Sequence, residues 1–188
     1  EILVRAGLVS AREGGGYYDR FRDRLMFPIY NQWGRVVGFG GRVLPFGDQT
    51  GPKYLNTPET TVFNKSRLLY GFHLAKGHIR SAGSAIIVEG YTDVIAAHQA
   101  GFKNVVASLG TSLTEGQGKL LFSQAREILI GYDADTAGQS ATWRGFNLLQ
   151  DLGCGVKVIE LPAGSDPDSF ICREGADKFG RLIGLAKP

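Results

Sequence analysis

From Ser84 onward, short apolar runs alternate with amphipathic stretches in the rhythm of βα units. "AIIVE" at 85–89, "NVVAS" at 104–108, "EILIGYD" at 127–133 and "VKVIEL" at 156–161 are β-branched and short, which predicts four buried strands. Between them the spacing predicts helices. One runs from Thr92 to Gln99 and ends at Ala100-Gly101; another opens on the capping box Ser112-x-x-Glu115 and reaches about Ala125. A third sets Ala141, Leu148, Leu149 and Leu152 on one face, with Gly153 as its stop. Asp166-Pro167 reads as an N-cap followed by the first helical position of a fourth.

Upstream of Ser84 the pattern changes. Residues 24–44 predict two antiparallel strands turned at Asn31–Gly34, and the turn-rich stretch 46–60 predicts an ordered surface loop. The expected architecture is therefore α/β: a small, irregular α+β subdomain over 1–82, then a doubly wound subdomain over 83–188. The latter holds about four parallel strands flanked by helices, and the boundary falls near Ala82-Gly83. With 43% hydrophobic residues the chain can bury a core. No apolar stretch approaches the roughly 20 residues that span a bilayer, and no signal-like segment opens the chain. These features predict a soluble cytoplasmic protein, and the abrupt ends, with no initiator Met, suggest a piece of something longer.

In open parallel sheets, ligands bind beyond the carboxyl ends of the strands, and the acidic residues fall there. Glu89 closes the first predicted strand, with Gly90 behind it and Asp93 one turn into the next helix. Asp133 and Asp135 follow the third strand; Asp166 and Asp168 lie beyond the fourth. Singly, several have ordinary roles: Asp135 and Asp166 as N-caps, Asp168 as a complement to a helix dipole. Glu89 and Asp133 cap no following helix directly. Carboxylates converging on one sheet edge repel one another unless a cation neutralises them, and oxygen donors suit Mg²⁺ or Mn²⁺, as one ion or a pair. Cys154 and Cys172, with no CxxC and no clustered His, predict free thiols and no zinc site. His73, His78 and His98 lie in helix-like stretches and read as structural or exposed.

The net charge of +3 divides unevenly. Residues 1–80 hold 12 Lys+Arg against 6 Asp+Glu, and residues 81–188 hold 9 against 12, so a basic half precedes an acidic one. In "YYDRFRDRLMFPI", Arg20, Arg22 and Arg24 alternate, which on an extended strand points all three to one face, with Phe21 and Leu25 as anchors. Forked guanidiniums suit phosphates. Arg42 stands beside a Gly pair, and Lys53 and Lys65 are interleaved with Tyr54 and Asn56, a mixture that suits a single strand with stacking bases. Pairing of these arginines with Asp19 and Asp23 on the surface is the alternative.

"IIVEGYTDVIAA", "ILIGYDADTAG" and "LPAGSDPDSF" together resemble the Toprim domain, shared by bacterial primases, topoisomerases and some nucleases. The resemblance implies that Glu89, Asp133 and Asp135 form a catalytic, metal-binding triad, with Asp93, Asp166 and Asp168 as accessory carboxylates. The basic stretches upstream extend it to the catalytic core of bacterial DnaG-type primases, over nearly the whole chain. That family implies two-metal synthesis of short RNA primers from ribonucleoside triphosphates on a single-stranded DNA template, at the bacterial replisome. By the same resemblance Arg20, Arg22, Lys53 and Lys65 contact nucleotide or template. A zinc-binding domain is expected ahead of such a core and a domain binding the replicative helicase after it; neither is seen in these residues. Two other readings use the same acids: a Toprim nuclease, and a Mg²⁺-binding phosphoacceptor signalling domain. The latter is expected to carry a Lys just after its last strand, where "ELPAGSDPDSF" has none.

Overall fold

In the computed structural model, residues 1–47, 51–110 and 112–188 are described, and they form two compact units, Glu1–Asn64 and Lys65–Pro188. The first unit begins with a single helical turn, α1 (Ile2–Arg5), and a two-stranded antiparallel pair, β1 (Val9–Ala11) and β2 (Tyr17–Asp19). A three-stranded antiparallel sheet follows in the order β3 (Arg24–Tyr30), β4 (Val36–Val43), β5 (Tyr54–Asn56). The expected β3–β4 hairpin forms, its turn held by Asn31, whose Oδ1 accepts the N–H groups of Trp33 and Arg35 at 3.0 Å each. β5 falls where the sequence predicts a loop. Its three residues pair with Gly40–Arg42, and buried Thr57 continues the seam through its hydroxyl to the Phe39 N–H and carbonyl. Residues 48–50 of that predicted loop lie outside the described residues. Phe27, Ile29 and Phe63 supply the buried apolar contacts of this unit.

The second unit carries a four-stranded, all-parallel sheet in the order β7 (Val105–Ala107), β6 (Ser84–Val88), β8 (Glu127–Ile130), β9 (Gly155–Val158). Successive side chains go to opposite faces, and both faces are apolar. Ala85, Ile87, Ile128 and Ile130 enter one core, against α2 (Phe72–Ala82), α4 (Glu115–Phe122) and α5 (Thr136–Asp151). Ile86, Val88, Val105 and Leu129 enter the other, against α3 (Tyr91–Gln99), α6 (Pro167–Glu174) and α7 (Ala176–Gly184). The first compact unit ends at Asn64, because Leu69 and the α2 residues Phe72, Ala75 and Ile79 are buried in the sheet's own core and Tyr70 bridges to Ala107.

Helix ends follow local chemistry. Asp135 and Asp166 cap α5 and α6 as expected, and Pro167 opens α6. The α4 cap is Thr114, not Ser112. Thr114 and Gln117 form the reciprocal box, and the Gln117 amide also donates to the carbonyls of Lys65 and Leu68, which binds the cap to the chain ahead of α2. α4 ends at Phe122, short of Ala125. Gly153 follows the last turn of α5 and donates to Gln150. Among the described residues no helix is long and apolar enough to cross a membrane.

Leu149 is fully buried on the sheet-facing side of α5, whereas Leu74 on α2 is exposed. Leu149→Ala is expected to lower unfolding free energy by about 2–5 kcal/mol and Leu74→Ala by less than about 0.5 kcal/mol in urea denaturation.

Candidate active site

The chain runs outward from β6 to β7 and then returns to β8 and out to β9, so the order reverses between β6 and β8. At such a switch point the loops leaving the two strands part to opposite faces and open a crevice. Glu89 and Asp133 stand there. β6 and β8 are neighbours in register, extended by the Gly131 N–H to Ile87 carbonyl bond, and beyond it the Asp133 N–H donates to Glu89 Oε1 at 3.2 Å. Asp135 caps α5, its Oδ1 accepting the Gly138 N–H at 2.7 Å. The loop between them is tied to the loop before α6: Ala134 N–H donates to Ser165 O and Gly164 N–H to Ala134 O. Asp166 Oδ1 caps α6 through the Ser169 N–H at 2.6 Å. Asp93, only 5% exposed, accepts the Gly90 N–H on Oδ2 and the Asp168 N–H on Oδ1, joining the start of α3 to the start of α6.

All six acidic residues named from the sequence thus gather at one sheet edge, and the charges act on each other. Burial, then Glu89, Asp93, Asp166 and Asp135, push the Asp133 carboxyl up to about 7. Burial lifts Asp93 to about 6 against the Asp168 and Gly90 N–H groups, with Asp166 and Asp168 adding to the rise. Glu89 is raised by burial and by Asp135, and the Asp133 N–H opposes this. Asp133 Oδ1 is buried with no hydrogen-bond partner among the described residues. Such an oxygen is costly to bury bare. Among those residues no three acidic, His or Cys side chains already converge on one point as a chelate. The donor set, all carboxylate oxygen with one buried oxygen unpartnered among the described residues, fits a hard divalent cation, and Glu89, Asp133 and Asp135 are residues that could hold one.

The basic residues gather in a different manner from the one expected. Arg20, Arg22 and Arg24 do not share a strand: β2 ends at Asp19, the chain bends, Asp23 takes φ 51, and β3 starts at Arg24. Leu25 is no anchor, being 53% exposed. Arg20 donates to Asn56 O, and Arg24 to Gly41 O and Lys53 O, so both reach across to β4 and β5. Arg42 and Tyr54 are register partners, and the Arg42 guanidinium and Lys53 ammonium each lie 5.9 Å from the Tyr54 ring. Arg42, Tyr54 and Asn56 share one sheet face with Leu25, whereas Arg24 lies over Gly41 on the other face. Arg22 lies apart, over the Tyr18 ring at 5.5 Å, with Arg12 at 5.8 Å. Lys65 opens the second unit, in a 3-10 turn. None of the ion pairs among the described residues involves Asp19 or Asp23, which removes the surface-pairing alternative.

Three participants are not evident from the sequence pattern. A Cβ at Gly138 would sit 2.1 Å from Asp133 O and 3.1 Å from Glu89 Oε1, so the first turn of α5 must present bare backbone to the acids. A signal for it does exist: a glycine in the first turn of a helix costs stability without a local reason. Arg12, which joins Arg22 on Tyr18, and Ser165, which anchors Ala134, carry no local signal. His98, in α3, has its Nε2 2.8 Å from the Val105 carbonyl, in keeping with a structural role.

Because folding raises the Asp133 pKa, the folded chain binds its proton more tightly than the unfolded chain. Stability must then fall as pH rises from about 4, the unfolded value, to about 7. In divalent-free buffer, Asp133→Asn is expected to raise the melting temperature above wild type at about pH 8, with the gain vanishing near pH 4; an equal gain at both would exclude charge as the cause.

Residues 1–76 match the family model described as DNA primase catalytic core, N-terminal domain, and residues 86–171 match a Toprim-like model. The DNA primase of Clostridium acetobutylicum is 50% identical over 182 residues, which cover 96% of this chain and 30% of that protein. A DNA primase domain from Pseudomonas aeruginosa superposes with TM-score 0.92 at 44% identity, over 99% of this chain and 59% of that one. A DnaG primase catalytic domain bound to single-stranded DNA gives TM-score 0.89 at 41% identity, over 99% and 58%. The chain spans about 30% of the length of the curated relatives it matches. With both parts of the core matched in order and nearly every residue aligned, the chain belongs to the DnaG-type DNA primases, and lies within their catalytic core.

Proposed function

We propose that this chain takes part in DNA-directed synthesis of short RNA primers, joining ribonucleoside triphosphates on a single-stranded DNA template during bacterial DNA replication. The observation that carries this is the pairing of Glu89 with Asp133 at the switch point, with Asp135 beside them and one Asp133 oxygen buried without a partner among the described residues. A divalent ion or pair of ions, magnesium or manganese, would there neutralise the carboxylates and draw charge from the reacting phosphate. Glu89 and Asp133 are kept adjacent by one N–H, and Asp135 is fixed by its cap, so the three need little rearrangement. Asp93 joins two helix starts and positions Asp168, while Asp166 contributes charge from the opposite loop.

Substrate and template phosphates would be taken by the first unit. Arg42 and Lys53 flank Tyr54, an arrangement suited to phosphate contact beside a stacked base. Arg20 and Arg24, partly engaged with carbonyls, are held in place by those bonds. Arg22 and Asn56 of this unit complete the set, Lys65 of the second unit adds a further cation, and the product is an RNA primer. A DnaG primase catalytic domain has a solved structure bound to single-stranded DNA, which supports a template of that kind for this chain. Contact with a replicative helicase is assigned to sequence beyond these residues, and the working compartment to the bacterial cytoplasm.

Labelled ribonucleotide incorporation on single-stranded DNA is the direct test: Asp133→Asn and Glu89→Gln are each expected to reduce it by about 100-fold or more. Equal incorporation by all three proteins would sink the reading, and shortening of the DNA would mark a nuclease instead. If four basic side chains contact strand phosphates, the logarithm of affinity should fall with the logarithm of salt at a slope of about −3. An affinity indifferent to salt would remove the basic surface from template binding.

A further inference from the structure

Beside Glu89, on the side toward β7, a cleft of about 280 Å³ runs along α5. Its floor is low because Ala137 and Ala141, one turn apart, present only methyl groups, and Ser108, Gly110 and Ser112 line its wall. Glu89 stands at one end. At the other, two turns or about 10 Å along the helix, is Arg144. Arg144 is exposed and donates from Nη2 to Ser112 Oγ at 3.2 Å, and none of the ion pairs among the described residues involves it. Other arginines of this unit are engaged differently: Arg173 with Glu174, Arg80 with Gln124, Arg126 over Phe122. A hydroxyl orients Arg144 without neutralising it, and its remaining donors keep the forked geometry that grips two oxygens of one phosphate.

A second observation points to a ligand in the same cleft. Tyr132, 5% exposed, lines it beside Ser108, and its buried hydroxyl meets no acceptor with full hydrogen-bond geometry among the described residues. Its O–H is a donor that an acceptor entering the cleft would satisfy. Donors at both ends and a shallow apolar floor suit a sugar-phosphate, whose oxygens are acceptors throughout.

We propose that this cleft is a phosphate-binding subsite in which Arg144, steadied by Ser112, holds a phosphate and Tyr132 donates to the same ligand near Glu89. The phosphate belongs either to a ribonucleoside triphosphate or to a nucleic-acid strand. The assignment rests on the primer-synthesis reading for its choice of ligands, but its test needs no catalysis.

The test measures binding of ATP by calorimetry and of a fluorescein-labelled oligothymidylate by anisotropy, both in EDTA, for wild type, Arg144→Gln, Arg144→Lys and the control Arg126→Gln. Circular dichroism melts confirm that each variant is folded. Arg144→Gln is expected to weaken at least one probe by about tenfold, the worth of a charged hydrogen-bonded contact, with Arg144→Lys between it and wild type. Loss for ATP alone assigns the triphosphate; loss for the oligonucleotide alone, with a salt slope shallower by about 0.7, assigns the strand. Arg144→Gln binding both probes within about twofold of wild type, or Arg126→Gln losing as much, overturns the subsite. Should ribonucleotide incorporation fail while these binding losses appear, the subsite stands and the polymerase reading falls.

Discussion

Two carboxylates set side by side at the ends of adjacent buried strands repel each other, and the rest of the second unit is arranged around that repulsion. Glu89 and Asp133 cannot separate, because β6 and β8 are locked in parallel register between two apolar cores. Among the described residues, the relief supplied between the two is a backbone N–H, from Asp133 to Glu89. That donor stabilises one carboxylate and leaves the other with a buried oxygen unpartnered among the described residues, and burial together with the charges of Glu89, Asp93, Asp166 and Asp135 raises Asp133. A cluster with this imbalance is stable only as part of a folded scaffold strong enough to bear it, and the doubly covered sheet is that scaffold. Its charge is then available to attract a cation, because proteins fix like charges together where a ligand will separate them.

The surrounding acids divide by how their oxygens are used. Asp166 spends one on its helix cap, and Asp93 spends both on N–H groups from two helix starts, so Asp93 acts first as a brace between α3 and α6. Asp135 is the intermediate case: Oδ1 caps α5 and fixes the side chain, and the cap donor is Gly138, the residue whose missing Cβ lets the helix approach Asp133 and Glu89. The choice between capping and ligation is therefore a false one for Asp135, since a cap is what orients the remaining oxygen. This is the same principle by which hydrogen-bonded partners orient metal-binding side chains generally.

Much of this arrangement is legible in the sequence, and for identifiable reasons. The four parallel strands, the β3–β4 hairpin and the caps at Asp135 and Asp166 rest on local signals, namely apolar runs, turn residues and Asx chemistry, that tertiary contacts do not override. The six acids can be grouped because position after a parallel strand fixes a residue's place on the sheet edge. The sequence misleads where the deciding contact is distant along the chain. α2 looks like the end of the first subdomain, yet Phe72 and Ile79 are buried against strands that come later. β5 is only three residues in a polar, glycine-containing stretch and exists because β4 offers it an edge. Arg20, Arg22 and Arg24 alternate as on a strand, but the bend at Asp23 separates them. Ser112 fits a cap motif as well as Thr114 does, and what favours Thr114 is Gln117 reaching Lys65 and Leu68, 52 and 49 residues away.

The basic groups follow a logic complementary to that of the acids. Where the acids are short of donors, the cations of the first unit are partly used: Arg20 and Arg24 hold carbonyls, and Arg22, Arg42 and Lys53 lie over tyrosine rings. Rings and neutral carbonyls orient a cation while leaving its charge uncancelled, which a carboxylate partner would not do. Arg144 repeats the device in the second unit with a serine hydroxyl. A surface built to bind polyanions must keep its cations both ordered and unneutralised, and neutral polar or aromatic partners meet both requirements at once. At the sheet edge the acids keep their negative charge by the mirror-image means, with Glu89, Asp93 and Asp135 held by backbone N–H groups. Each half thus conserves the charge that its ligand must cancel.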